Sequence, residues 1–385
     1  MRNKLTLIIL FCLVIAQNAF AQMPERGVWV SVFSGKRVLY SKQALDELLR
    51  ICKNAKINQI YLQVYQSGKA FYNSRISDQS KYKEIIASVG TDPIDYLLQE
   101  AKKQNIKVFA WVNILSLGQN NNADIIRKLG PSVLTLDQYL RPSGRKDLNE
   151  SDKYYLREEQ IFLESGDERV VKYLASIVEE VVTRYPLFSG VHLDYVRYPM
   201  TVPFNPGSRF TKYGLSYGYG RENAARFKKA TGIDPLTGLN KDKYFSLWDD
   251  WRRQQVTDLA RTISGRVKEK SPGMLVSSAV IPSNERAYSS MFQDWPGWLE
   301  EGIVDYVVLM NYTLDNQLTR EIIRSSSALR QKGHVFAGMG IFLMGDDPVT
   351  FKEQLKILND LNCDGIVFFA YDDITPDVAA YLHEH

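Results

Sequence analysis

The chain has 385 residues, 48 basic against 44 acidic, and a formal net charge of +4. So small a balance gives no reason to expect a nucleic-acid partner, and 45% hydrophobic residues exclude a disordered chain. The length is high for one average domain but ordinary for a barrel with insertions.

The start reads as an export leader. Met1-Arg2-Asn3-Lys4 is basic, and Leu5 to Ala16 is an apolar run too short to span a bilayer comfortably. Ala19-Phe20-Ala21 is a small-x-small site, which predicts cleavage before Gln22. Residues 1–21 are then a signal peptide and 22–385 a single domain, periplasmic or extracellular. Cys12 lies inside the apolar run, so no lipid anchor is expected, and no later stretch predicts membrane insertion. Cys52 and Cys363 survive cleavage. They could pair, but buried free thiols are the preferred reading.

Apolar alternation predicts eight strands, over 27–33, 59–65, 107–113, 190–196, 274–281, 305–311, 335–341 and 365–371. Helical patterns fall between most of them, over 41–54, 92–104, 167–185, 245–270, 317–332 and 348–361, with a short one at 295–301. Asp92-Pro93 is a good cap followed by a proline suited to the first turn. Strand and helix alternating in this way predict a (β/α)8 TIM barrel. An open doubly wound sheet is the alternative, but no glycine-rich phosphate loop follows the first strand. Two connections are long, 114–166 after strand three and 200–244 after strand four. The second holds an aromatic, glycine-rich run at 213–220. That run is expected to be a mobile flap whose Tyr217 and Tyr219 stack on a ligand. Its later part, 221–231, reads as helix.

Strand four reads Gly190-Val191-His192-Leu193-Asp194-Tyr195-Val196-Arg197-Tyr198-Pro199. His192 and Asp194 share one face, and Pro199 ends the segment. A carboxylate at the end of a buried strand is costly unless paired or working. It could be a structural acid held by Arg197; the preferred reading is catalytic, at the mouth of a barrel.

Alternation places further groups at that mouth. Strand one offers Trp29 and Ser31, strand two Gln63 and Tyr65, strand three Trp111 and Asn113. Strand six offers Asn311, with Tyr312 beyond, and strand eight offers Phe369, Tyr371 and Asp372. Gly338-Met339-Gly340 in strand seven is expected to leave open space. Aromatic faces, amides and one strong acid suit a sugar. No Cys-rich or His-x-His spacing suggests a metal, and no motif suggests a cofactor. No Gly-x-Ser-x-Gly elbow is present either.

Four segments then carry a resemblance: Arg26-Gly27-Val28-Trp29-Val30, the strand-four stretch, Gln293-Asp294-Trp295-Pro296-Gly297-Trp298-Leu299, and Val304-Asp305-Tyr306-Val307-Val308-Leu309-Met310-Asn311-Tyr312. Together they resemble the glycosyl-hydrolase-like family 10 group, exported bacterial proteins related to the glycoside hydrolase that cuts peptide-free peptidoglycan. The resemblance implies a TIM barrel, action on cell-wall or related polysaccharide, and Asp194 as leading catalytic candidate. Many relatives carry two adjacent acids where Asp194-Tyr195 stands here, and lack an Arg at Arg197. The second carboxylate that glycoside hydrolysis usually needs is therefore sought elsewhere. Candidates are Asp372, Glu285 and Asp294, although Asp294 could instead cap the helix at Trp295. His192, Arg197, Tyr198 and Tyr371 join Trp29, Tyr65, Trp111, Asn113, Asn311 and Tyr312 as candidate substrate contacts. The alternative to an enzyme is a non-catalytic carbohydrate-binding protein on a degenerate barrel.

Overall fold

The computed structural model describes residues 25–144, 159–201, 215–239, 241–345 and 347–385. The expected leader and its cleavage site lie outside the described residues, as do Tyr213 and Gly214 of the aromatic run.

Eight parallel strands close into a barrel. In chain order they are Glu25–Val30, Gln59–Gln66, Lys107–Asn113, Gly190–Asp194, Leu275–Val280, Tyr306–Asn311, His334–Met339 and Gly365–Phe368. Each pairs with the next, and strand eight returns to strand one. A two-residue strand, Lys69–Ala70, adds antiparallel to the end of strand two. The (β/α)8 expectation is met.

Alternation splits the strand side chains into two sets. One set, including Val28, Ile60, Val108, Val191 and Val307, packs outward in the large apolar cluster that also takes in the helices. The other fills the barrel with rings: Trp29, Tyr61, Phe109, Trp111, Tyr306 and Phe336. Tyr61 stacks on Phe109 at 5.1 Å, and Tyr306 on Phe336 at 4.6 Å. Rings this large fit because small residues face them. A Cβ on Gly27 would lie 2.6 Å from the Tyr61 ring, and one on Gly365 would lie 2.5 Å from Phe336.

Helix starts follow the expected capping chemistry. Ser41 accepts from the Ala44 N–H at 3.1 Å, and Asp92 from the Ile94 N–H at 2.9 Å. Helices Ser80–Val89, Asp124–Leu129, Asn284–Ser290 and Pro376–Glu384 are additional to those expected. Strand four stops at Asp194 because Tyr195 takes a left-handed φ of 56°. Strand eight stops at Phe368; the Phe369–Ala370 peptide is cis, and Tyr371–Asp373 forms a 3-10 turn. Cys52 and Cys363 are free and buried, and burial pushes both thiols up to about 12.

The two long connections are knitted together by buried polar groups. Glu164 accepts from Tyr198 Oη at 2.6 Å, Thr135 Oγ1 at 2.9 Å, and the N–H groups of Gly166 and Gly220 at 3.1 Å each. Arg252, on the helix Asp242–Lys270, donates to Ser216 Oγ at 2.7 Å and to the Tyr217 carbonyl at 2.5 Å. Its guanidinium also lies 5.4 Å from the Tyr219 ring centre. This corrects the expected flap: Tyr217 and Tyr219 are each 3% exposed, so the described part of the run is packed rather than open.

Candidate active site

Strand four can approach its neighbours closely because it begins with glycine. A Cβ on Gly190 would sit 2.2 Å from the Leu275 carbonyl oxygen. Register then sets Asp194 beside Asn113, and His192 between Trp111 and Ser277. Asp194 is 6% exposed. Its Oδ2 accepts from Trp111 Nε1 at 3.1 Å, and its Oδ1 from the Tyr195 N–H at 2.7 Å. Tyr195 pays for this turn with a left-handed backbone, a conformation that β-carbons resist and that clusters at functional sites.

Rings wall the carboxylate. Trp111 lies 6.4 Å from Phe369, and Phe369 stacks on Tyr312 at 5.4 Å. Burial holds the Tyr312 phenol well above its usual range, and the charges of Asp194 and Tyr195 add to this. Tyr312 is therefore a neutral hydroxyl near the acid, able to donate a hydrogen bond. On the strand-one side, Ser31 Oγ donates to Gln63 Oε1 at 3.1 Å, and Gln63 Nε2 to Asn113 Oδ1 at 3.2 Å. That chain holds amides in fixed orientation next to Asp194.

Beneath lies a layer that does not meet solvent. Trp29 Nε1 donates to His192 Nε2 at 3.0 Å, and His192 Nδ1 lies 2.9 Å from Ser277 Oγ. An indole can only donate, so Nε2 accepts and the ring proton sits on Nδ1. His192 is fully buried and Trp29 is 1% exposed. Both are supports for the site rather than contacts at its surface, which corrects their expected placement.

Burial also holds the His192 imidazole down to about 3, from 6.5. Between those values the folded chain binds fewer protons than the unfolded chain, so stability rises with pH. The contribution is complete above pH 6.5 and is lost as pH falls toward 3. The slope reaches up to ~1.4 kcal/mol per pH unit. Chemical denaturation between pH 7 and 4 should therefore show an acid limb that His192→Gln flattens. Equal slopes in both proteins would assign the limb to other groups.

Other expected contacts lie elsewhere. Strand two has a register shift between Gln63 and Tyr65, and this bulge turns Tyr65 into the outer apolar cluster. Tyr306 and Val308 face the barrel interior, so Asn311 faces outward, where its Nδ2 donates to Thr319 Oγ1 at 3.3 Å. Tyr198 is 1% exposed and holds Glu164. Tyr371 is buried under Lys36, whose Nζ lies 4.1 Å from its ring centre. Arg197 is 3% exposed and lies 4.8 Å from the Tyr195 ring centre. The expected open space at strand seven is filled: Cβ atoms on Gly338 and Gly340 would each lie 2.9 Å from the rings of Trp29 and Tyr312.

The candidate second acids lie on the connections after strands five and eight. Asp372 is exposed and accepts from Ser34 Oγ at 2.5 Å and the Gly35 N–H at 3.1 Å. Glu285 is exposed in the first turn of Asn284–Ser290. Asp294 caps Trp295–Glu300 through the Gly297 N–H at 3.2 Å. Burial raises its carboxyl above the usual range. Glu164 went unread in the sequence, since its partners are scattered over 85 residues from Thr135 to Gly220 and only folding assembles them. Among the described residues no group of three or more His, Cys, Asp or Glu is placed to hold a metal ion. No described helix is long and apolar enough to cross a membrane.

Closed parallel strands, an acid at the end of strand four and an aromatic mouth define a TIM barrel of the kind glycosidases use. Residues 24–342 match the family described as Glycosyl hydrolase-like 10, and the chain belongs to that family. Glycosyl hydrolase DigH of Escherichia coli (strain K12) is 25% identical over an alignment of 323 positions that covers 76% of this chain and 66% of DigH. Glycosyl hydrolase YngK of Bacillus subtilis (strain 168) is 24% identical over an alignment of 395 positions that covers 93% of this chain and 70% of YngK. The match thus spans just under two thirds of DigH's length. Among solved structures, α-L-fucosidase isoenzyme 2 from Paenibacillus thiaminolyticus superposes with a TM-score of 0.58 at 11% identity, covering 94% of this chain and 48% of its own. The hyperthermostable endo-1,4-β-D-mannanase from Thermotoga petrophila gives 0.52 at 12% identity, covering 90% and 88%. At such identities the likeness speaks for the fold alone.

Proposed function

We propose that the protein hydrolyses glycosidic bonds in bacterial cell-wall glycan of the peptidoglycan type, or a related polysaccharide, with Asp194 as a catalytic carboxylate. The observation that carries this reading is Asp194 itself: an acid, 6% exposed, at the C-terminal end of a barrel strand, among Trp111, Tyr312 and Phe369. Barrel enzymes place reactive groups at that position. Both oxygens accept N–H donors, which fixes the orientation of the carboxyl group at the mouth. The names of DigH and YngK as glycosyl hydrolases support the reaction class.

Glycan hydrolysis usually takes a second carboxyl group ~5–10 Å from the first. The local hydrogen bonds of Asp372 and Asp294 favour one competing reading, a glycan-binding protein without turnover. Incubation with purified glycan strands, with and without peptide stems, separates the two. New reducing ends, identified by mass spectrometry, are expected; binding without products would sink the hydrolase reading. The envelope location rests on the leader-like start. Intact-mass analysis of the native protein should show a first residue of Gln22, and a retained Met1 would contradict export.

A further inference from the structure

The rim of the barrel carries aromatic residues that the core does not use. Phe33, just after strand one, is 72% exposed, and Phe342, after strand seven, is 45% exposed. Phe342 packs edge-on against Phe369 and Tyr312, each at 5.7 Å, and its N–H donates to the Phe369 carbonyl at 3.4 Å. It is thus the outer end of the ring cluster that reaches inward to Asp194's neighbours. Strands one, eight, seven and six are consecutive in the barrel, so Phe33, Phe369, Phe342 and Tyr312 follow one another around the rim. Three strand spacings make an arc of about 14 Å, longer than one sugar ring. The facing side of the mouth, from strands two to four, brings the polar groups of Gln63, Asn113 and Asp194, with the Trp111 ring beside them.

We propose that Phe33 and Phe342 extend the site into a subsite arc for a linear glycan chain, an inference that rests on the glycoside-hydrolase reading. The rings take the apolar C–H faces of successive sugars, while amides and the carboxylate meet their hydroxyls. A chain held on both sides of Asp194 is cut in its interior, so products of mixed length appear before small fragments accumulate.

The test uses Asp194→Asn as parent, so that binding is read without turnover, and peptide-free peptidoglycan glycan strands as probe. Adding Phe33→Ala and Phe342→Ala should weaken binding of long strands by ~10-fold or more. Binding of a disaccharide from the same strands should stay as in the parent. Phe342→Trp in the Phe33→Ala background should restore much of the loss. The melting temperature should fall only slightly, because Phe33 is 72% exposed and Phe342 gives up only its edge contacts with Phe369 and Tyr312. A parent that binds strands and a double variant that binds them equally well would overturn the arc alone. A parent that binds no glycan would overturn the arc and the functional reading together. Exposed Leu314 and Leu343 lie after strands six and seven. A double variant changed only in self-association, read by light scattering, would therefore reassign the rim as a protein contact.

Discussion

Asp194→Asn is expected to lower turnover of glycan strands by ~10²–10⁴-fold or more, while the barrel stays folded and glycan still binds. The substitution keeps the shape of the side chain and removes its charge. The amide oxygen can still accept from Trp111 Nε1 or from the Tyr195 N–H. The amide nitrogen then faces the other, which costs about 1–2 kcal/mol of stability. That is small against the loss of a base or nucleophile. A purely structural acid gives the opposite pattern. If its role were to hold a cation such as Arg197, neutralising it would cost ~3–5 kcal/mol, with the rate per folded molecule little changed. Melting temperature and initial rate, measured on the same preparation, therefore separate the two. A stable variant with full activity would remove Asp194 from the chemistry.

The fold was legible because barrel strands announce themselves locally. Strand three is expected at 107–113 and observed at Lys107–Asn113, since both its faces are buried and its ends are polar. Asp194 was legible for the same reason, as a charge where the pattern calls for apolar residues. Side-chain direction near strand ends was less so. Alternation holds only while the backbone stays extended, and a slip of one residue moves a side chain to the other face. The bulge before Tyr65 is such a slip, and Asn311 sits one residue out of phase with the inward-facing Tyr306 and Val308. The tyrosines of the aromatic run look like free stacking surfaces until Arg252, 35 residues beyond Tyr217, closes over them. A contact at that distance along the chain leaves no trace in periodicity.

Glu164→Gln should lower stability by about 3 kcal/mol. The carboxylate is fully buried, and all four of its hydrogen bonds are accepted from donors: two hydroxyls and two backbone N–H groups. Gln keeps the volume but replaces one acceptor oxygen with an NH₂ group that faces two of those donors. Burial raises the Glu164 carboxyl above its usual 4.5, with the four donors opposing. The folded chain therefore holds this proton to higher pH than the unfolded chain. On this group's account stability is complete below pH 4.5 and declines as pH rises through the folded value. Glu164→Gln removes that decline, so urea titrations at several pH values read both its loss of stability and its flattened pH dependence. Gly220→Ala is an independent check, because its Cβ would lie 2.5 Å from Glu164 Cγ and force the same clamp apart. A Glu164→Gln protein as stable as the parent but without turnover would instead make Glu164 a residue that positions the site through Tyr198.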